Sequence, residues 1–313
     1  MTPSPTDGTS PAVIVYGTVC LDHLVRVNQD FVPLGPPQEM PGGEAFNTAS
    51  ALVGWGLPVL LTGTALGPGA DSDRLRRLLD DPSIGLSRRH IPELPNAVTP
   101  VCTIRVTPDG ERVMQGRGYA EAVAPPPLPE SEFVNRPVFS ACPNLGHAAV
   151  AESLRAASLG CRVVAMDFQQ YPAVCRAAYL VQTSRESLTR FPLPAGAADS
   201  LEQAAETLVA LGAERVVITD GARGGTTAER HKEGGIDLQR FPAAPVEVVV
   251  DTTGAGDVFR AGLCWGLLQN PDLWPLARLV RVASAAAALH MQTFGSCSRP
   301  PLDAVLRLAD SMP

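Results

Sequence analysis

Lysine is nearly absent. Lys232 stands alone in 313 residues, so arginine carries the rest of a basic complement of 25. A Walker A loop needs a lysine after its second glycine, a protein kinase needs one on a strand, and a pyridoxal enzyme needs one for its Schiff base. Lys232 lies in "RHKEGG", a polar, glycine-flanked turn that suits none of these. Any phosphate bound here must therefore be held by backbone amides, arginine or a metal. Basic blocks are missing too, and a net charge of −7 argues against a phosphate-backbone footprint, so nucleic acid is not an expected partner. No apolar run reaches the roughly 18 residues that cross a bilayer, which excludes a membrane-spanning role. The opening "MTPSPTDGTSP" lacks the basic start and apolar centre of a signal peptide, so residues 1–11 read as a short disordered tail and the expected location is cytoplasmic. Seven scattered cysteines with no C-x-x-C pair read as reduced thiols packed as small apolar groups, not as zinc ligands.

What is present is an alternation. "AVIVYG" (12–17) is a short β-branched run ending in glycine and reads as a buried strand. Similar runs follow near Leu60 and Phe139, before Asp167, near Leu180, before Asp220, and at "VEVVV" before Asp251. Between several of them lie helical patterns: "EAFNTASALVGWG", "DSDRLRRLLDD", "HAAVAESLRAASLG" and "DSLEQAAETLVALG". Strands alternating with helices of this length predict an α/β fold, a doubly wound, mostly parallel sheet with helices on both faces. Two more helical runs close the chain, the second with four consecutive alanines that suit close packing against a neighbour.

Two segments break the rhythm. "CLDHLVRVNQDFV" (20–32) follows the first strand without a helix. "TPVCTIRVTPDGERVMQGRG" (99–118) is two alternating runs about a Pro-Asp-Gly turn, a hairpin by its turn chemistry. They pair either as a small separate sheet able to cover a cleft or as edge strands of the main sheet.

Chemistry concentrates in "DTTGAGD". Glycines after a strand allow a sharp turn and a close approach to a ligand, and the helix that follows offers unpaired N–H groups and the positive end of its dipole. Asp257, in that first turn, complements the dipole; beside a bound phosphate it is also placed to take a proton from an attacking hydroxyl. "GAGDVF" puts Phe259 where a dinucleotide fingerprint needs its third glycine, which excludes nicotinamide and flavin binding of that type. In "MPGGEAFNTASAL", Gly42 and Gly43 open a helix carrying Glu44 and Asn47, the latter a neutral donor and acceptor suited to hydroxyls. "VVITDGARGG" places Gly221, Gly224 and Gly225 after a strand, either a nucleotide contact or a tight hairpin. Glu186 lies beyond another strand end, and Asp22 just beyond the first, where carboxylates line the crevice of wound sheets.

In order along nearly the whole chain, these stretches resemble the ribokinase-like, or PfkB-type, carbohydrate kinases: "GTVCLD", "PGGEAFNTASAL", "VVITDGARGG" and, most specifically, "DTTGAGDVFRAGL". The resemblance implies Asp257 as catalytic base, with Gly254, Ala255 and Gly256 as anion hole. It implies Asp22, Gly42, Gly43 and Asn47 on sugar hydroxyls, and Thr219, Gly221 and Gly224 beside ATP. Glu186 would lie on the Mg²⁺ side through water, and Asp251, Thr253 and Gly295 at a site for a monovalent cation, K⁺. It turns the two irregular segments into a β lid (20–40 and 98–118) over a large domain (12–19, 41–97 and 119–313), and it implies a homodimer through the lid. Three positions depart from the pattern: Thr183 stands where the family often has asparagine, Gly69 where aspartate is common, and Glu44 where ribokinases carry lysine, so ribose is not favoured. The expected function is an ATP-dependent sugar kinase acting on a hydroxymethyl group. A nucleoside kinase on the same scaffold is the alternative, disfavoured by an aromatic content of 5%, followed by an idle sugar-binding homologue, disfavoured by the intact "GAGD".

Overall fold

The structure is a computed structural model that describes residues 10–194, 196, 198–231, 233–269 and 274–313. Most of the expected tail, Lys232 itself, two residues of the "RFPLPAGAAD" loop, and Asn270 at the end of its helical run lie outside these. In chain order the strands are β1 (Val13–Gly17), β2 (Cys20–Arg26), β3 (Gln38–Gly42), β4 (Val59–Gly63), β5 (Ser87–His90), β6 (Val101–Val106) and β7 (Arg112–Arg117), then β8 (Val138–Ala141), β9 (Arg162–Met166), β10 (Leu180–Ser184), β11 (Arg215–Thr219), β12 (Gly225–Arg230) and β13 (Ile236–Phe241). The helices are α1 (Glu44–Gly54), α2 (Ala70–Leu79), α3 (Gly146–Ser158), α4 (Pro172–Ala177), α5 (Arg185–Arg190), α6 (Leu201–Ala210), α7 (Ala255–Gln269), α8 (Leu276–His290) and α9 (Leu302–Ser311).

Nine strands form one sheet in the order β13-β12-β11-β10-β9-β8-β1-β4-β5. It is parallel except for the β11–β12–β13 meander, so the glycines after β11 make the tight hairpin that was one of their two readings. The two-residue period of β1 shows why both faces need cover. Val13 and Val15 enter one hydrophobic core with α1, α7, α8 and α9, while Ile14 and Tyr16 enter the other with α3 and α6. Helices α7 and α8 lie close enough that a Cβ on Gly262 would come 2.6 Å from the Ala283 backbone. That closeness answers to the small residues of the last helical run.

The irregular segments form a separate four-stranded sheet, β3-β2-β6-β7, and are not edge strands of the main one. Strands β2 and β6 run parallel, with Asp22 opposite Cys102, while β3 and β7 flank them antiparallel.

One expected strand is absent. "VEVVV" is irregular, with Val248 63% exposed. The N–H groups of Val250 and Asp251 go to Met291 O (2.8 and 3.2 Å) and that of Thr252 to Gly110 O (3.1 Å), so no neighbouring strand pairs with the run. β-Branched propensity describes a half-buried pleated surface, and here the chain is a strap between the sheet and α7 instead. Among the described residues, no helix is long and apolar enough to cross a membrane.

Candidate active site

Strand order reverses at β1, which has β4 on one side and β8 on the other. In wound sheets the crevice outside the carboxyl ends of the strands at such a point receives the ligand. Glu44, the first residue of α1, fills the floor of that crevice. Its Oε1 accepts from Thr18 N (2.5 Å) beyond β1 and from Cys142 Sγ (2.6 Å) beyond β8. The helix can start there because Gly43 adopts φ +90° with its missing Cβ against Thr18 O (2.3 Å), a place no other residue fits.

Asp257 is in the first turn of α7, buried at 9% exposure. Its Oδ2 accepts from Asn47 Nδ2 (2.9 Å) on α1, and its backbone oxygen accepts from Thr48 Oγ1 (3.1 Å). Burial pushes its carboxyl up to about 7 against the pull of Arg260 and Asn47. Arg260, one turn on, is fully buried. It donates to Thr48 Oγ1 (3.0 and 2.8 Å) and Glu44 O (2.5 Å) and lies 3.9 Å from Asp257 Oδ1. The preceding turn leaves two amides free: among the described residues no acceptor takes the N–H of Gly254 or Gly256, whereas Ala255 N donates to Thr252 O (3.3 Å). Gly254, at φ +83°, has its Cα against Ser296 O, which a Cβ would approach to 2.3 Å.

Ser296 joins this turn to the small sheet, because its hydroxyl donates to Asp22 Oδ2 (3.1 Å). Asp22 is buried, and burial raises its carboxyl to about 6 despite hydrogen bonds from Cys20 and Ser296. Gly42 on β3, opposite Cys20, leaves it room, since a Cβ there would fall 1.9 Å from Asp22 Oδ2. Asp251 accepts from Thr253 N (2.8 Å) and Gly295 N (3.0 Å), and Thr253 O accepts from His290 Nε2 (2.6 Å). Burial lowers the His290 pKa, so a neutral ring with its proton on Nε2 holds this loop.

The structure thus gathers Asp22, Gly42, Gly43, Asn47, Asp251, Thr253, Gly295 and the 254–257 turn around one crevice. Thr219, Gly221, Gly224 and Glu186 line a second stretch of the same sheet edge, beyond β10 and β11. Thr219 Oγ1 reaches Thr183 O (3.5 Å), and Gly224, at φ +81°, has its Cα packed on Phe241 O. Glu186 is exposed in the first turn of α5, beside Asp220, which pairs with Arg185 (2.9 Å) and Arg223 (2.6 Å).

Four residues of this edge escape a reading by motif. Arg260 is inside "DVFRAGL", three residues after Asp257, a helical spacing that places it on the same face. Asp167, at φ +60°, follows β9 half-buried and hydrogen-bonded by Thr183 Oγ1 (2.9 Å), with desolvation raising its carboxyl; no local feature of "MDFQQ" announces it. Tyr119 follows the hairpin and lies near Cys20 and Asp22, its ring over Gly116. Arg112 donates to Thr252 Oγ1 (2.9 Å), and Thr252 N donates to Gly110 O, which ties the hairpin tip to the loop before the glycine turn.

A buried carboxylate beside free helix-terminal amides, under a small second sheet, is an arrangement for moving a proton next to a bound anion. The sequence matches the model of the pfkB family carbohydrate kinases over residues 11–303. The chain belongs to that family. It is therefore a kinase, a phosphotransferase of the pfkB type. Over 59 residues, 19% of the chain, this pfkB-family kinase is 46% identical to an uncharacterized sugar kinase of Dictyostelium discoideum, of which the match spans 16%. The fold superposes on ribokinase of Arabidopsis thaliana complexed with ribose and ATP (TM-score 0.77, 21% identity, 96% of this chain and 99% of that one). It also superposes on a nucleoside kinase of Burkholderia thailandensis in complex with inosine (TM-score 0.72, 20% identity, 96% and 97%).

Proposed function

We propose that the protein transfers the γ-phosphate of ATP to a hydroxymethyl group of a small sugar or sugar derivative, with Asp257 as general base. One observation carries this reading. Asp257 is the buried carboxylate that shares a helix turn with the unspent amides of Gly254 and Gly256. The acceptor lies between Asp22 and Asn47, whose buried Oδ1 has no partner among the described residues and can accept a hydrogen bond from a hydroxyl. Asp257 removes the proton of the attacking hydroxyl, and the amides and helix dipole stabilise the charge of the transferring group.

The residues fit the two implied ions. Asp167 just after β9, Thr183 near the end of β10 and Glu186 in the first turn of α5 are oxygen donors, which suits Mg²⁺ held through water and substrate phosphates. No three His, Cys, Asp or Glu side chains gather as a full ligand set among the described residues. Thr183 keeps an oxygen where the family often has asparagine. When bound, Mg²⁺ neutralises phosphate charge. Asp251 lies beside Gly295, and Thr253 two residues on has a buried Oγ1 with no partner among the described residues, oxygens of the kind that suit K⁺. The small sheet carries Asp22 over the crevice and acts as a lid.

A nucleoside as acceptor is the second reading. Tyr119, 38% exposed and close to Asp22 on the lid, offers a ring on which a base can stack, a platform the low aromatic content does not announce. Turnover of ATP measured across a panel of aldoses, ketoses, amino sugars and nucleosides decides between the two. Sugar-dependent turnover is expected; turnover with nucleosides alone would replace the first reading with the second, and none with either class would sink both.

Asp22 is tested through its neighbour. Gly42→Ala places a methyl on Asp22 Oδ2 and is expected to raise the acceptor KM at least about tenfold, the loss of one hydrogen bond to a charged group. The KM for ATP should stay within about twofold. An unchanged acceptor KM would remove Asp22 from the pocket.

A further inference from the structure

The opposite pole of the sheet, at the amino ends of β9, β10 and β11, holds a cavity of about 570 Å³ that the kinase reading leaves unused. It is lined by Arg162, Arg176, Arg230, His231, Tyr179 and Glu214. The strands it caps span about 13 Å at about 3.3 Å per residue before they reach Asp167, Thr183 and Thr219 at the catalytic edge.

Three observations make the cavity more than a solvated rim. First, its cations are crowded without compensation. Arg215, at its edge, is neutralised by Glu229 (2.7 Å), but Arg162, Arg176 and Arg230 face a single lining carboxylate, Glu214, and the described residues offer Arg176 no ion pair. This happens in a chain whose net charge is −7. Second, the guanidinium groups of Arg162 and Arg230, and of Arg215 at the edge, are held in place. Arg162 and Arg215 stack on Tyr179 with their central carbons 5.5 and 4.7 Å from the ring centroid. Arg230 is oriented by the carbonyl of Val209. Third, the rim is cut back to admit arginine. Gly212, at φ +115°, makes room for Arg176, whose Cγ a Cβ would approach to 2.8 Å. Gly160, at φ +84°, does the same for Arg136 (3.2 Å).

We propose that this cavity is a second binding site, separate from the catalytic edge, for a small molecule bearing a phosphomonoester. Three guanidinium groups against one carboxylate leave two positive charges, which a phosphomonoester dianion matches. The planar forks of arginine suit its oxygens, and so do preorganised side chains that lose little entropy on binding. A volume of about 570 Å³ exceeds what a bare phosphate fills and lies within the range that takes a whole metabolite. A phosphosugar and a nucleoside monophosphate share this chemistry, so the test has an arm for each.

Glucose 6-phosphate and AMP are titrated separately into the full-length protein and into Arg176→Glu by isothermal calorimetry. Arg176 is exposed and has no ion pair among the described residues, so this reversal leaves the fold and basal turnover in place, within about twofold of wild type. Arg230→Gln is the second variant. At least one probe is expected to bind wild type with submillimolar Kd and to lose at least about tenfold in each variant, since one charge-assisted hydrogen bond is worth that much. Whichever arm responds identifies the source of the phosphate. Affinity unchanged in both variants would assign the binding to the catalytic edge, and no saturable binding of either probe would show a solvated basic rim. Either result overturns the proposal.

Discussion

Asp257→Asn is expected to lower turnover by about 10²–10⁴, the usual cost of losing a general base, while the ATP affinity stays close to wild type. The side chain is isosteric and can keep a hydrogen bond with Asn47, so geometry survives and only the proton acceptor is lost. The pH dependence gives an independent check. A base must be ionised, and burial raises Asp257 to about 7 and Asp22 to about 6. The kcat/KM of wild type should therefore rise with pH through about 7 and fall more steeply below 6, where Asp22 is also protonated. Stability should move the other way. The folded pKa of Asp257 lies above its unfolded value, so the folded state binds the extra proton between the two. The contribution of this group is full below the unfolded pKa and is lost as pH rises through about 7. Asp257→Asn escapes that loss and should be more stable than wild type at pH 8, by on the order of 2–4 kcal/mol from a shift of this size, with the gap closing toward pH 4. Urea unfolding at the two pH values measures it. A variant that kept more than a tenth of wild-type turnover would show that another group is the base.

The second large effect belongs to Arg260. It is fully buried, and it faces the carboxyl groups of Asp257 and Asp167 while bonding Glu44 O and Thr48. Arg260→Met keeps much of the volume and removes the charge. Two acceptors then lose their donor and the acids lose their counter-charge, a change that costs about 3–5 kcal/mol when one partner of a buried pair is deleted. Turnover at neutral pH should fall as well, because without the guanidinium the Asp257 carboxyl titrates higher and less of it is ionised. The loss of stability should be larger at pH 8 than at pH 5, where Asp257 is neutral and needs no partner. Equal losses at both pH values would mean that Arg260 matters for packing alone.

The same two residues show how far the chain could be read without its structure. The glycine turn and the acid after it were legible because turn chemistry and helix starts depend on a few neighbouring residues. The strands and helices were legible by their periods, and the hairpin by Pro108-Asp109-Gly110. "VEVVV" was misread for the same reason: its local preference is for a strand, and it was outvoted by hydrogen bonds to Met291 and Gly110. Asp167 and Tyr119 carried no local signal at all, since each matters only through side chains brought from elsewhere in the fold.

A wound α/β chain that resembles the pfkB type, with a glycine turn and an acid beside it, was readable from the residues alone, because these follow from spacing and residue type over short stretches. Only the tertiary structure decided what that acid is. Asn47 comes to Asp257 from 210 positions away, Arg260 is sealed beside it, and Ser296 ties Asp22 of the small sheet to the same turn. Desolvation and counter-charge are properties of a folded surrounding, and they set the ionisation on which a general base depends.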